Sequence, residues 1–321
     1  MNTKALISIA VPAFNEAENL VVLADELKRV FETESNYDFE VIVCENGSSD
    51  NSLEILRALH NEDQRFKIVR LIRNFNMEGG MIAALKYVSG DACVIMSADL
   101  QDPPALIPSM IRYWEQGFEN VYTKITHRHG ESRSRRLAAT WFYSVIHRLS
   151  GKSVPKNASD FRLVSRSAYE SFNALPERVR LVRSTWAWLG YRSASIDYER
   201  PARTRGKSSF KPFVTAPYAL RAILSTTFLP LRLVGVVGIG LCIVSLLSLM
   251  VSALLWVVNG VPFHGFGTLF SLQLLLFGIL FGYLGILGEY ISIIFEESRE
   301  RPSFIVAEKI GVQSSSQRGN K

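Results

Sequence analysis

The strongest constraint on this chain is a stretch that water cannot accommodate: Leu233 to Val258, about 26 residues without one charge. Wound as an α-helix at about 1.5 Å per residue, it reaches about 39 Å, enough to cross a bilayer with some tilt. A second apolar run, Thr268 to Gly288, follows a connector at Asn259–Gly267 and is interrupted only by Gln273. The alternative is a pair of buried helices in a large soluble core, but core helices rarely run so far uncharged. A hydrophobic content of 48% excludes disorder, because such a chain buries enough surface to offset its ordering entropy.

Basic residues orient the spans. Arg203, Arg205, Lys207, Lys211, Arg221 and Arg232 precede the first, Arg299, Arg301 and Lys309 follow the second, and the connector holds neither Lys nor Arg. The positive-inside rule then puts both ends of the chain in the cytoplasm of a multi-pass inner (cytoplasmic) membrane protein. Residues 1–207 form a soluble domain and 208–231 an interfacial stretch broken by Pro212, Pro217 and Pro230. Residues 232–295 form the two-span hairpin and 296–321 a cytoplasmic tail. No signal peptide is expected near Met1. Cys44, Cys93 and Cys242 have neither disulfide-framework nor zinc spacing and read as packed thiols. The net charge of +6 suits anionic lipid or phosphorylated substrates; no nucleic acid is expected, because the basic residues flank the spans and a candidate lipid-facing helix. That helix would begin near Ser132, with Arg133, Arg135, Arg136 and Arg148 beside Trp141, Phe142 and Tyr143. Gly278, Gly282 and Gly285 permit close helix packing, within a chain or in a homo-oligomer.

Residues 1–125 alternate short apolar runs with helical patterns. The runs Leu6–Val11, Phe39–Cys44, Phe66–Leu71, Ala92–Met96 and Asn120–Thr123 are β-rich, and Ala17–Phe31, Ser52–His60, Gly80–Val88 and Ala105–Gln116 carry helical spacing. This predicts an α/β domain with a mainly parallel sheet covered on both faces. Ligands of such sheets bind outside the carboxyl ends of the strands. The candidate site is therefore four turns: Pro12-Ala-Phe-Asn-Glu16, Glu45-Asn-Gly-Ser-Ser-Asp50, Arg73-Asn-Phe-Asn76 and Ser97-Ala-Asp-Leu-Gln-Asp-Pro-Pro104. Helix capping accounts for Asp50, Ser52 and Asp102, whereas Asp99 and Gln101 lie inside a turn with no helix to start. No dinucleotide-binding glycine pattern or P-loop is present.

The strings Ser8-Ile-Ala-Val-Pro-Ala-Phe-Asn-Glu16, Ala98-Asp-Leu-Gln-Asp-Pro-Pro104, Ser159-Asp-Phe-Arg-Leu163, Leu287-Gly-Glu-Tyr-Ile291 and Arg301-Pro-Ser-Phe-Ile-Val306 resemble the inverting family 2 nucleotide-sugar glycosyltransferases. More narrowly they are similar to the polyprenyl-phosphate branch, which includes dolichol-phosphate mannose synthase and bacterial undecaprenyl-phosphate sugar transferases. The resemblance runs nearly end to end and implies a GT-A (Rossmann-like) domain on a membrane anchor. It implies transfer of a sugar from a nucleotide-sugar, a UDP-hexose or UDP-N-acetylhexosamine, to undecaprenyl or another polyprenyl phosphate. The purpose would be cell-surface polysaccharide synthesis or modification.

By the same resemblance, Asp99 and Gln101 match the metal ligands of the family's Asp-x-Asp-Leu-Gln turn, with Ser97 in place of the first Asp. Such oxygen ligands suit Mg2+ or Mn2+, which would hold the charge of a departing diphosphate. Asp160 matches the carboxylate of the family's Gly-Asp-Phe-Arg and is expected to orient the sugar or stabilise charge at the anomeric carbon. The alternative for Asp160 is a structural salt bridge to Arg162. Catalysis is thus expected from Asp99, Asp160 and Arg162. Pro12, Phe14, Glu16, Glu45, Arg73, Ser97 and Asp99 are expected to hold the nucleotide-sugar, with Glu45-Asn46-Gly47-Ser48 standing where the family has Asp-Asp-Gly-Ser. Glu45 would accept from a pyrimidine N–H. Arg128 and Arg136 match basic positions that hold the acceptor phosphate, while Ile125 replaces another arginine. Arg203 and Ser208 match a loop that closes over phosphates, where Ser209 replaces a lysine. A lipid phosphate, with a second pKa of about 6 by analogy with phosphoamino acids, needs no strong general base. Two other functions remain open at this point: a transferase acting on a saccharide hydroxyl, and a non-catalytic nucleotide-sugar-binding membrane protein.

Overall fold

The computed structural model describes residues 4–128, 157–177, 182–201 and 266–312, with scattered positions between 240 and 258. They belong to two compact units, Met1–Ser209 with Arg301–Lys321, and Phe210–Glu300. The first unit runs β1 (Leu6–Ala13), α1 (Ala17–Thr33), β2 (Asp38–Glu45), α2 (Ser52–Glu62), β3 (Phe66–Leu71), α3 (Asn76–Tyr87) and β4 (Ala92–Ile95). A 3-10 turn at Pro104–Leu106 leads into α4 (Ile107–Glu115), followed by β5 (Asn120–Arg128), β6 (Ala158–Ser165), α5 (Arg166–Ala174), α6 (Val182–Leu189), β7 (Ser193–Arg200) and, much later, β8 (Val306–Ile310). Each strand and helix expected in residues 1–125 is present with its ends moved by a few residues. β5 outruns its apolar signal because pairing with β7 carries it on to Arg128.

The strands form one sheet in the order β7-β5-β6-β4-β1-β2-β3-β8. β1 pairs in parallel with β2 and β4, and β2 with β3. β6 is antiparallel to both β4 and β5, and β7 is parallel to β5. These directions bring the carboxyl ends of β1–β5 and β7, and the amino end of β6, to a single rim.

Side chains alternate across a strand, and here both faces are covered. Ile7, Ile9 and Val11 pack with Leu20, Leu23 and Leu27 of α1 and Met110 of α4. Ala10, Ile42 and Cys44 pack with Met81 and Leu85 of α3 and Phe172 of α5. Cys44 and Cys93 are buried free thiols, and burial pushes both well above the ordinary thiol value. Strands apolar along both faces are the reason the first four strands are visible as continuous runs.

One carboxylate breaks that pattern near the amino ends of the strands. Glu40, 3% exposed, accepts from Ser8 Oγ (2.6 Å), Ser89 N (2.6 Å) and Lys67 Nζ (2.7 Å). Burial raises a carboxyl, but Lys67 and the two serines override it and hold Glu40 below its ordinary value. The group therefore adds stability above its unfolded pKa and loses it as pH falls through the folded one. Glu40→Ala is expected to cost about 3 kcal/mol, because it strands Lys67 and the serine donors. Thermal unfolding of the full chain in detergent measures that loss.

Within the stretch 296–321, expected as a tail, Val306–Ile310 returns to the sheet as its edge strand, antiparallel to β3. Arg57 Nη2 meets Glu308 Oε2 at 2.7 Å, and Phe304 and Val306 pack against the α3 layer. Five residues alternating half-buried and exposed leave too faint a pattern to be seen in the sequence.

In the second unit, α7 (Phe266–Ser298) is one helix of 33 residues. Its segment Leu276–Ser298 is long and apolar enough to cross a membrane, and none of it is buried. The expected span Thr268–Gly288 lies within α7. Of the other expected span, Leu233–Val258, the described positions from Gly240 onward are helical, with Ile243, Leu247, Met250, Leu254 and Val257 exposed. The interfacial stretch 208–231 and the basic and aromatic stretch 133–148 lie outside the described residues.

Candidate active site

The turns after β1, β2 and β3 are tied to one another. Asn46 N donates to Ala13 O (2.9 Å), Asn15 N to Ser48 Oγ (3.0 Å) and Ser49 N to Asn15 Oδ1 (2.8 Å). Asn46, buried, accepts from Phe75 N (2.9 Å) and donates through Nδ2 to Asn76 O (2.7 Å). Glu45 is buried as well: Oε1 accepts from Ser48 N (2.5 Å) and Oε2 lies 3.6 Å from Arg70 Nε. The pair that replaces the family's two aspartates thus shapes the turn from beneath. Asp50 does cap helices, but across the rim, accepting from Ala17 N at the start of α1 (3.1 Å) and from Ser52 N at the start of α2 (3.1 Å). Glu16 accepts from Asn19 Nδ2 (2.6 Å), Phe14 is exposed, and the Arg73 guanidinium stands 4.1 Å over the Phe75 ring.

Gly47 makes this closeness possible. Its φ is +71°, and a Cβ there would lie 2.5 Å from the Arg73 carbonyl carbon. Gly47→Ala is expected to part the two turns, breaking the Asn46–Phe75 hydrogen bond. Amide exchange at Phe75 and Asn76 would rise at least about tenfold, with the sheet amides unchanged.

The turn after β4 gathers oxygen. Ser97 Oγ lies 2.8 Å from Asp99 Oδ1 and 2.6 Å from Asp102 Oδ2. A hydroxyl has one proton to donate, so two carboxylates converge on a single donor. Gln101 N donates to Asp99 Oδ1 (3.2 Å), and Gln101 Nε2 to Pro201 O (3.2 Å), just past β7. Leu100 takes a left-handed φ of 59°, a strain that positions the aspartate and glutamine on either side of it. Asp102, expected as a cap, makes no capping bond: it is 3% exposed and accepts instead from Ser97 N (3.0 Å) and Tyr198 Oη (3.3 Å). A carboxyl so buried needs donors, and the turn and β7 supply them. Burial pushes it up, against the pull of the Arg200 charge and the Ser97 donors. Carboxylate and amide oxygens of this kind fit Mg2+ or Mn2+. Among the described residues no cluster of three or more His, Cys, Asp or Glu makes a complete cage.

Asp160, on β6, is on the same rim. Its partner is Arg183, whose Nε donates to Oδ1 (3.1 Å) and Nη2 to Oδ2 (2.5 Å). Arg162 is instead buried beneath, with Nη2 donating to Ser159 O (2.9 Å). The expected alternative, a bridge from Asp160 to Arg162, is replaced by one to a residue on α6. Burial pushes Asp160 up, but Arg183, then Arg162 and Arg200, outweigh it, so the carboxyl sits below its ordinary value. Burial pulls Arg162 down to about 10, which still leaves it charged at neutral pH. Glu78, at the start of α3, is pushed up to about 7 by burial and by the Asp160 charge, and accepts from the Val182 amide.

Of the expected site residues, Pro12, Phe14, Glu16, Glu45, Arg73, Ser97, Asp99, Gln101, Asp160 and Arg162 all come to this rim. Arg128 is the last residue of β5, in register with Arg200. Arg136, Arg203 and Ser208 lie outside the described residues. Sequence alone missed Arg183, Glu78, Tyr198 and Arg200.

Comparison with known proteins agrees with this geometry. Glycosyl transferase family 2 matches residues 8–172. An uncharacterized glycosyltransferase of Synechocystis sp. is 34% identical over 310 residues, 96% of either chain. A bactoprenol glucosyl transferase of Shigella phage SfV is 33% identical over 94% of this chain and 97% of its own. Among solved structures, glucosyl-3-phosphoglycerate synthase from Mycobacterium tuberculosis, in complex with Mn2+, UDP and phosphoglyceric acid, has a TM-score of 0.50. It shares 19% identity over 69% of this chain and 78% of its own, a likeness of fold. The rim of strand-end carboxylates on a mixed α/β GT-A-like sheet, together with these matches, makes the chain a glycosyltransferase that belongs to glycosyl transferase family 2.

Proposed function

We propose that the protein moves a sugar from a UDP-hexose or UDP-N-acetylhexosamine to a polyprenyl phosphate, undecaprenyl phosphate in a bacterium, for cell-surface polysaccharide. The catalytic domain would work at the cytoplasmic face of the inner membrane, anchored by two spans, 233–258 and α7. The observation that carries the proposal is Asp160: a carboxylate at the rim, held ionised by a two-point arginine fork. Near-full-length likeness to a bactoprenol glucosyl transferase supports the acceptor.

Asp99 and Gln101 would hold Mg2+ or Mn2+, beside Ser97. When bound, the ion supplies positive charge against the departing diphosphate. Phe14, Arg73, Pro12 and Glu16 frame the nucleotide, while Glu45 acts by holding the Gly47–Ser48 turn under it. Arg128, Arg136, Arg203 and Ser208 receive the acceptor and donor phosphates. One oxygen of the lipid phosphate bonds to the anomeric carbon as the bond to the diphosphate breaks, its electron pair leaving with the diphosphate. Asp160 stabilises the positive charge that develops on the sugar between those events, and Arg162 braces the strand that carries it. The displacement is in line, so the anomeric configuration inverts.

A saccharide hydroxyl would need a general base with a pKa near the working pH. Asp160, held below the ordinary carboxylate value by Arg183, is poorly suited to that task, whereas Glu78 near it, pushed up to about 7, has the value such a base needs, so the acceptor is decided by assay. The test is a screen of labelled nucleotide-sugars with purified full-length protein, Mg2+ or Mn2+, and either undecaprenyl phosphate or oligosaccharides. Label is expected in the lipid with one donor. Label in the oligosaccharide only, or nucleotide binding without any transfer, would reject the proposal.

A further inference from the structure

The geometry assigns Arg183 as the positioning residue of the reaction: it aims the Asp160 carboxylate by a side-on fork and has no other part in the chemistry. This rests on the role proposed for Asp160. The sequence explains how α6 delivers it. Val182 and Trp186, spaced four apart, are both buried, and Trp186 stacks on Phe172 with ring centroids 4.5 Å apart. Those two anchors fix the helix against the α5 layer. Arg183, next to the first anchor and three before the second, is left pointing across to β6. The helix is pinned at its first residue too, where the Val182 amide donates to Glu78.

A fork of two parallel N–H···O bonds fixes the carboxylate plane as well as its charge, which a lysine cannot do. The charged groups around Asp160 are Arg183 from α6, Arg162 on its own strand, Arg200 from β7 and Glu78 from α3. Among the described residues Arg183 is the direct side-chain partner of Asp160, while Arg162 bonds to the Ser159 carbonyl. Without Arg183, the largest of the influences opposing burial would be gone, leaving Arg162 and Arg200 alone against it. Asp160 would then take up its proton at higher pH.

Four forms of the full-length protein test this: wild type, Arg183→Ala, Asp160→Asn and the double variant, with Arg183→Lys as the milder change should alanine impair folding. Arg183→Ala is expected to lower kcat about a hundredfold with both KM values within about threefold, because a misaimed group costs rate more than binding. Arg183→Lys should recover little of it, and free guanidinium should recover part. The double variant should be no slower than Asp160→Asn within about threefold, since the arginine acts only through the aspartate. A double variant slowed by the product of the two single losses would overturn the assignment. Carboxyl-carbon NMR supplies a readout that needs no turnover. The Asp160 resonance should titrate at higher pH in Arg183→Ala and Arg183→Lys than in wild type, and an unchanged titration would also overturn it. If wild type makes no sugar-lipid at all, the proposed reaction fails while this titration still decides whether the fork controls Asp160.

Discussion

Asp99→Ala is expected to slow sugar transfer at least about a thousandfold, because it removes a carboxylate that would hold the cation facing the leaving diphosphate. The fold should survive. The side chain is buried at the rim, and its bonds to Ser97 Oγ and the Gln101 amide stay within the same turn. The apparent unfolding temperature should therefore stay within about 4 °C of wild type, the range expected for about 1 kcal/mol or less. Ser97, standing where the family has a carboxylate, gives Asp99 a larger share of the cation's charge to answer. Mn2+ affinity, read by electron paramagnetic resonance in the presence of nucleotide, should fall with the rate. Full activity in the variant with metal present would remove Asp99 from the site.

Asp160→Asn should slow transfer by about a hundred- to a thousandfold while leaving donor KM near its wild-type value, the pattern of an interaction made mainly in the transition state. The amide keeps the size of the carboxylate and discards its charge, which is what the developing positive sugar needs. In the wild type the acid limb should follow protonation of the acceptor phosphate at about pH 6, since Asp160 remains ionised well into acid. A variant with normal kcat and a raised donor KM would mean that Asp160 only helps to bind the sugar.

Strands β1–β5 were legible because burial on both faces leaves them mostly apolar, while β6 and β7 lie beyond the alternation read over residues 1–125. Ile7, Ile9 and Val11 had to be as apolar as Ala10, since helices cover both sides. β8 was not legible, because an edge strand that pairs on one side and is half wet needs no apolar run. The turn after β4 could be singled out because Asp99 and Gln101 lie within three residues of each other and start no helix, whereas the metal proposed there came from the family resemblance. Asp102 was misread as a cap, because Pro103-Pro104 looks the same whether the carboxylate points at the helix or into the core. The Asp160–Arg183 fork spans 23 residues and depends on how Trp186 seats α6, so no local pattern could announce it. Glu45 was visible as a residue facing a ligand, but it is buried and, with Asn46, supports the turn from beneath.

The most direct measurement is the linkage of the product. Purified full-length protein, an α-linked UDP-sugar, Mg2+ and undecaprenyl phosphate should yield a sugar bonded through phosphate to the lipid, with the anomeric proton and phosphorus couplings of the β configuration. A product of retained α configuration, or a sugar attached to a hydroxyl and not to phosphate, would contradict direct in-line attack by a lipid phosphate.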